Sequence, residues 1–183
     1  MFPVLLPSEP ENFDTDVRQR GTRWVQGHPD APSSSLPDYW NHVRLDVQQA
    51  FDGRCAYLGY SIASGHVDHF VPKSRDRGLA YEWRNYRWAE PRVNQLKGMH
   101  DFLDPCAIES GWIEIDPATL LYALTRMLPE ALRTCGERTI SVLNDEELLR
   151  ARRRMLRGLW SDDGWNLEAV SWQFPLLHAA LME

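Results

Sequence analysis

The sequence predicts an α+β fold, with a small strand, loop, strand and helix core embedded in a mostly helical single domain. Three observations carry this: a short apolar run into Val67-Asp68-His69, a strand-like Tyr86-Arg87-Trp88-Ala89 followed by Pro91 at a helix start, and helical apolar spacing on both sides. With 183 residues and 43% hydrophobic content, the chain is long enough for one domain with a real core and marginal for two.

Residues 1–36 are polar and rich in Pro and Asp, and read as an N-terminal arm with a loop around Gly27-His28-Pro29-Asp30-Ala31-Pro32. From Ser35 the pattern changes: Ser35-Leu36-Pro37-Asp38 has the look of a capping box, and Trp40, Val43, Val47, Ala50 and Phe51 recur at helical spacing. The spacing predicts a helix over about 37–51, ended by Asp52-Gly53. Cys55-Ala56-Tyr57-Leu58 and Tyr60-Ser61-Ile62 predict strands around a turn. Residues 72–85 read as a charged loop, and Pro91 opens a helix holding Asn94, Leu96 and Lys97. The helix and core thus occupy residues 37–104, and residues 105–183 form a mainly helical C-terminal part. There, Trp112-Ile113-Glu114-Ile115 alternates like a strand, Leu120 to Leu128 fits strand or helix, and the 129–143 stretch reads as a helix weakened by Gly136. Asn144-Asp145-Glu146-Glu147 is a strong helix start leading into Arg150, Arg152, Arg153, Arg154 and Arg157, a row that reads first as a solvated flank and second as a nucleic-acid face.

Bulk properties exclude several classes. No run of about 18 apolar residues exists to span a bilayer, and the opening residues lack a basic start, so the expectation is a cytoplasmic protein without a membrane anchor. Cys55, Cys106 and Cys135 are odd in number and far apart, which suits neither a disulfide framework nor a paired-thiol zinc site. A net charge of −6 argues against coating nucleic acid by bulk electrostatics. Locally, however, Lys73, Arg75, Arg77, Arg84, Arg87, Arg92 and Lys97 outnumber the acids, and a basic patch on an acidic body would still meet phosphate.

Within that patch lie the residues phosphodiester cleavage needs. The reaction needs an activated water, a stabilised pentavalent phosphate and a neutralised leaving oxygen. Asp68 supplies an anionic oxygen and Asn94 an amide oxygen for one hard divalent ion, leaving most coordination positions to water and phosphate, as Mg²⁺ prefers. His69 is then free to act as the base. Adjacent strand residues point to opposite sides, so Asp68 and His69 belong where the strand ends, as Pro72 indicates. Lys97, three residues after Asn94, is expected to meet a phosphate oxygen, with Lys73 and Arg92 as further substrate-binding cations. Asn85 is expected to clamp the loop backbone and fix His69 from behind.

Val67-Asp68-His69-Phe70-Val71-Pro72-Lys73-Ser74, Tyr81-Glu82-Trp83-Arg84-Asn85-Tyr86 and Asn94-Gln95-Leu96-Lys97-Gly98 together resemble the HNH endonuclease superfamily and its ββα-metal core, in a bacterial subfamily whose last His is replaced by Asn. The resemblance covers Cys55 to Pro105, under a third of the chain. It implies Asp68 and Asn94 as ligands of Mg²⁺ or Mn²⁺, His69 as general base, Asn85 as the middle structural Asn, and DNA cut to 5′-phosphate and 3′-hydroxyl ends. It also implies, for some relatives, an ATPase partner in bacterial anti-phage defence. Many relatives carry two Cys-x-x-Cys pairs for a structural zinc; here the positions hold Cys55 with Leu58 and Glu90 with Val93, so no zinc is expected and Tyr57, Leu58 and Val93 are expected to stabilise the motif by apolar packing. His66 reads as a solvent-facing strand residue, His100 and Asp101 as loop, and Trp83 and Trp88 as core anchors. The rival readings are an RNase or toxin-type nuclease, and a non-catalytic nucleic-acid-binding module on the same scaffold.

Overall fold

The computed structural model describes residues 3–6, 8–161 and 164–182; Met1, Phe2 and Pro7 of the opening segment lie outside them, as do Asp162, Asp163 and Glu183. The class is α+β, with small antiparallel sheets among helices. A π-helical turn, Asp14–Arg18, runs into α1 (Gln19–Gly27), and a 3-10 turn, Tyr39–Val43, runs into α2 (Arg44–Ala50). β1 (His66–His69) pairs antiparallel with β2 (Tyr86–Ala89), placing Asp68 opposite Arg87 and His69 opposite Tyr86, and α3 (Pro91–Lys97) follows directly. β3 (Ile113–Ile115) pairs with β4 (Tyr122–Leu124). Then come α4 (Arg133–Leu143), α5 (Glu146–Arg157), the two-residue strands β5 (Trp160–Ser161) and β6 (Gly164–Trp165), α6 (Leu167–Gln173) and α7 (Pro175–Met182).

The β1, β2 and α3 unit lies between two apolar clusters. Phe13, Val17, Val43 and Val47 pack with Val67, Tyr86 and Trp88, while Cys55, Tyr57, Leu58 and Val93 pack with Phe102, Leu103 and the C-terminal helices. His66 is exposed and Trp83 and Trp88 are buried, as their sequence positions led one to expect. Among the described residues, no helix is long and apolar enough to cross a membrane.

Three local expectations change. The N-terminal arm contains a helix, docked through Phe13 and Val17, both fully buried. The predicted 37–51 helix is a 3-10 turn followed by a shorter α-helix, and Asp38 makes no capping bond. Its periodic Trp40, Val43 and Val47 are all buried, so the spacing reported a buried face and not one continuous hydrogen-bond ladder. The strands expected at 55–62 are a tight knuckle: Gly59 N–H donates to Cys55 O at 2.8 Å and Cys55 N–H to Tyr60 O at 2.9 Å, with a lone bridge between Arg54 and Ser61. Ala56 N–H donates to Trp88 O at 2.7 Å, stitching the knuckle to β2.

The C-terminal helices follow their signals closely. Gly136 serves close packing: a Cβ there would lie 2.7 Å from a Leu128 methyl and 3.0 Å from one of Leu124. Asp145 caps α5 by accepting from Glu147 N–H at 3.2 Å and Leu148 N–H at 3.4 Å, while the Arg92 guanidinium sits 3.1 Å from its other oxygen. The arginine row divides: Arg152 is fully buried, donating to the carbonyls of Leu120 and Leu143 and stacking 4.3 Å over Tyr122, whereas Arg150 pairs with Glu146 and Arg153, Arg154 and Arg157 are exposed.

Replacing Asp145 by Ala removes both cap and ion pair and is expected to cost about 1–2 kcal/mol in urea unfolding near neutral pH. Arg92 holds the Asp145 carboxyl below its ordinary 3.8, so the stabilisation is complete above that value and is lost as pH falls through the lower folded value. The gap between wild type and Asp145→Ala should therefore narrow on acidification below the ordinary carboxyl value.

Candidate active site

Asp68 and His69 occupy the last two positions of β1, where the strand gives way to the loop through Pro72. That break lets both side chains line one open cleft of about 320 Å³ with Asn94 and Gly98 of the α3 end, Lys73 and Ser74 of the loop, and Trp40, Ser33 and Ser34 from the N-terminal part. Asp68, His69 and Asn94, the residues expected at one site, all line this cleft.

The loop between the strands is held by Asn85, which is buried. Its amide N–H₂ donates to Val71 O at 3.1 Å and Leu79 O at 3.0 Å, and its Oδ1 accepts from Val71 N–H at 2.8 Å. This is the loop clamp the sequence predicts, and it fixes the segment carrying Ala80. The Ala80 carbonyl in turn accepts from Tyr86 Oη and from His69 Nε2, both at 2.9 Å. A carbonyl can only accept, so Nε2 carries the proton and Nδ1 keeps its lone pair. Nδ1 has no hydrogen-bond partner among the described residues. Trp40 and Tyr86 meet the imidazole edge to face at 4.6 and 5.3 Å. Burial, reinforced by Lys73 and Lys97, pushes its pKa down to about 3, so the ring is neutral and able to accept a proton at neutral pH.

Asp68 is held from the protein side. The Tyr57 hydroxyl donates to its Oδ2, and Lys97 Nζ lies 3.1–3.2 Å from its two oxygens and 3.0 Å from His69 O. Burial pushes the Tyr57 phenol well up, with the Asp68 charge adding to it, so the hydroxyl stays a donor. Lys97 is only 1% exposed, which corrects its expected role: its ammonium faces Asp68 beneath the cleft and cannot reach a substrate phosphate. The helix stops there because Gly98, at φ 51°, turns its N–H back to Asn94 O at 3.2 Å, a conformation a side chain would strain.

Other cations of the charged run are also engaged. Arg92, expected as a substrate-binding cation, is not among the residues lining the cleft; it pairs with Asp145 and Glu147 and joins α3 to α5. Arg75 pairs with Asp101, Arg87 with Asp104, and Arg77 donates to the carbonyls of His28 and Pro29. Lys73 lines the cleft with no carboxylate partner among the described residues, its ammonium 4.1 Å over the Trp40 ring. Tyr57, Trp40, Ser33 and Ser34 are site residues that sequence reasoning missed. For Tyr57 one signal existed, since a phenol inside an apolar cluster requires a hydrogen-bond acceptor; nothing marked the other three.

The donor set suits a hard divalent ion. Asn94 is half-buried at the cleft, and its amide has no hydrogen-bond partner among the described residues. Asp68 Oδ2 faces both Tyr57 and Lys97, whereas Oδ1 faces Lys97 alone and retains a lone pair. Among the described residues no three His, Cys, Asp or Glu side chains gather as a metal nest, so a metal here would take one carboxylate, one amide and otherwise water or phosphate. Cys55 is buried in the core, where its Sγ accepts from Glu90 N–H at 3.3 Å and burial pushes its thiol up to about 11. Comparison with protein-family models, curated proteins and solved structures finds no match for this chain.

Asn85→Ala leaves one N–H and two carbonyls without their partner and is expected to cost about 3 kcal/mol or more in chemical denaturation. Asn85→Asp keeps the acceptor but turns a carboxylate oxygen toward the carbonyls of Val71 and Leu79, so it should destabilise at least as much.

Proposed function

We propose that this chain is a metal-dependent HNH-type endonuclease that hydrolyses phosphodiester bonds in DNA. The observation that carries the reading is the shared cleft of Asp68, His69 and Asn94, with His69 Nε2 tied to a carbonyl and Nδ1 left as the basic nitrogen. In this reading His69 Nδ1 removes a proton from the attacking water, and the Ala80 carbonyl stabilises the imidazolium that results. Asp68 and Asn94 would hold Mg²⁺ or Mn²⁺, which supplies Lewis-acid stabilisation of the phosphate and leaving oxygens. Lys73, at the rim, offers positive charge to a non-bridging oxygen, and the Ser33 and Ser34 hydroxyls offer neutral donors beside it.

Free cationic side chains are few at this cleft and the net charge is −6, so unaided DNA affinity is expected to be weak. A cytoplasmic partner that delivers substrate, such as an ATPase in an anti-phage defence complex, fits that weakness. Full activity of the isolated chain at physiological salt would remove the motive for such a partner.

In a plasmid-nicking assay, wild type should cut in Mg²⁺ or Mn²⁺ and stop with EDTA, and His69→Ala should be slower by about a hundredfold or more. Turnover of structured RNA but not of duplex or single-stranded DNA would move the assignment to an RNase. Unchanged cellular activity in His69→Ala would instead favour the binding module. Lys73→Ala should weaken substrate use and lower its salt dependence without changing unfolding, whereas Arg92→Ala should lower stability and leave the salt dependence alone.

A further inference from the structure

Asp68 is the carboxylate among the residues lining the cleft, and its charge is already opposed. Lys97 lies 3.1 Å from it at 1% exposure, with a second bond of 3.0 Å to His69 O and Phe70 covering it at 5.8 Å. The side chain leaves from the last residue of α3, which Gly98 ends, so the ammonium is held where it is and, among the described residues, meets no other carboxylate. Lys73 adds a second positive charge at the rim. Before substrate arrives, the cleft therefore offers a divalent ion no net negative charge.

We propose that Lys97 is a resident counter-ion of Asp68, so that the free protein holds a divalent ion weakly and the phosphate of the substrate completes the metal site. The proposal rests on the metal-site reading above and adds when the site loads. A phosphodiester brings the missing negative charge, and by linkage the ion and the phosphate each raise the affinity of the other. Lys97 thus acts through Asp68 as a positioning residue, and Tyr57, a neutral donor on the same carboxylate, orients it without opposing the ion.

Mn²⁺ titrations followed by electron paramagnetic resonance test this. They are run in a His69→Ala background so that DNA is not consumed, with and without a short DNA duplex whose own Mn²⁺ uptake is subtracted. The duplex should tighten Mn²⁺ binding about tenfold or more. Lys97→Gln should tighten binding to the DNA-free protein by about tenfold and shrink the effect of the duplex, while Lys97→Arg, which keeps the charge, should not. Equal Mn²⁺ affinity with and without duplex, or Lys97→Gln no tighter than Lys97→Arg, overturns the counter-ion role. If Asp68→Ala still abolishes binding in that case, the metal site itself stands. No Mn²⁺ uptake by any form, duplex present, overturns both. Should circular dichroism show Lys97→Gln unfolded, the duplex comparison on the native lysine decides alone.

Discussion

The contact of Lys97 with Asp68 and the His69 carbonyl is the interaction on which the site's assembly depends. It closes the gap between the end of β1 and the last turn of α3, and so brings Asn94 to the same cleft as residues about 25 positions earlier. A buried ion pair of this kind contributes little net stability against a well-packed apolar substitute, yet losing one partner costs about 3–5 kcal/mol because the other charge is stranded. The pair is thus a device for register. It admits one placement of the helix against the strand, and the Tyr57 hydroxyl on the same carboxylate adds a third direction of constraint.

The charged run shows how sequence clustering of charge misleads. Lys73, Arg75, Arg77, Arg84, Arg87, Arg92 and Lys97 look like a phosphate-binding patch because their acidic partners lie elsewhere in the chain. Arg87 meets Asp104, Arg75 meets Asp101, and Arg92 meets Asp145 across more than fifty residues. These three guanidiniums serve as tethers between elements, and Arg77 spends its donors on the carbonyls of His28 and Pro29, so much of the patch is already engaged. Lys73 is the cation that lines the cleft, and it has no carboxylate partner among the described residues.

Much of the core was legible. β1, β2 and the Pro91 helix start follow from local patterns, and the Asn85 clamp follows from the need of a long charged loop to satisfy its backbone. The end of β1 as the place where Asp68 and His69 share a cleft follows from strand alternation. Illegible were features set by tertiary contact. The helix over 14–27 has few apolar residues because only a narrow face docks, and the 55–60 knuckle carries a strand-like composition while its backbone bonds close on themselves and on Trp88. Trp40 announced itself as a buried helical position, but its place against His69 and under Lys73 depends on how α2 sits on the sheet.

The division of labour inside the cleft follows from what is fixed and what is free. His69 is locked by a carbonyl and two aromatic rings, and Asp68 by a phenol and an ammonium, so neither would need to move for the chemistry proposed above. Lys73, Ser33, Ser34 and Asn94 are the lining groups without such locks, and they stand on loops or at the open side. Adaptation to a substrate therefore falls to the rim. Ser33 and Ser34 belong to a segment anchored by Arg77 through the carbonyls of His28 and Pro29, which ties one wall of the cleft to the same loop that Asn85 clamps from the other side. In the nuclease reading proposed above, a change in that N-terminal wall would alter which nucleic-acid shape fits while leaving His69 and Asp68 where they are, which would separate recognition from chemistry within a site only a few residues across.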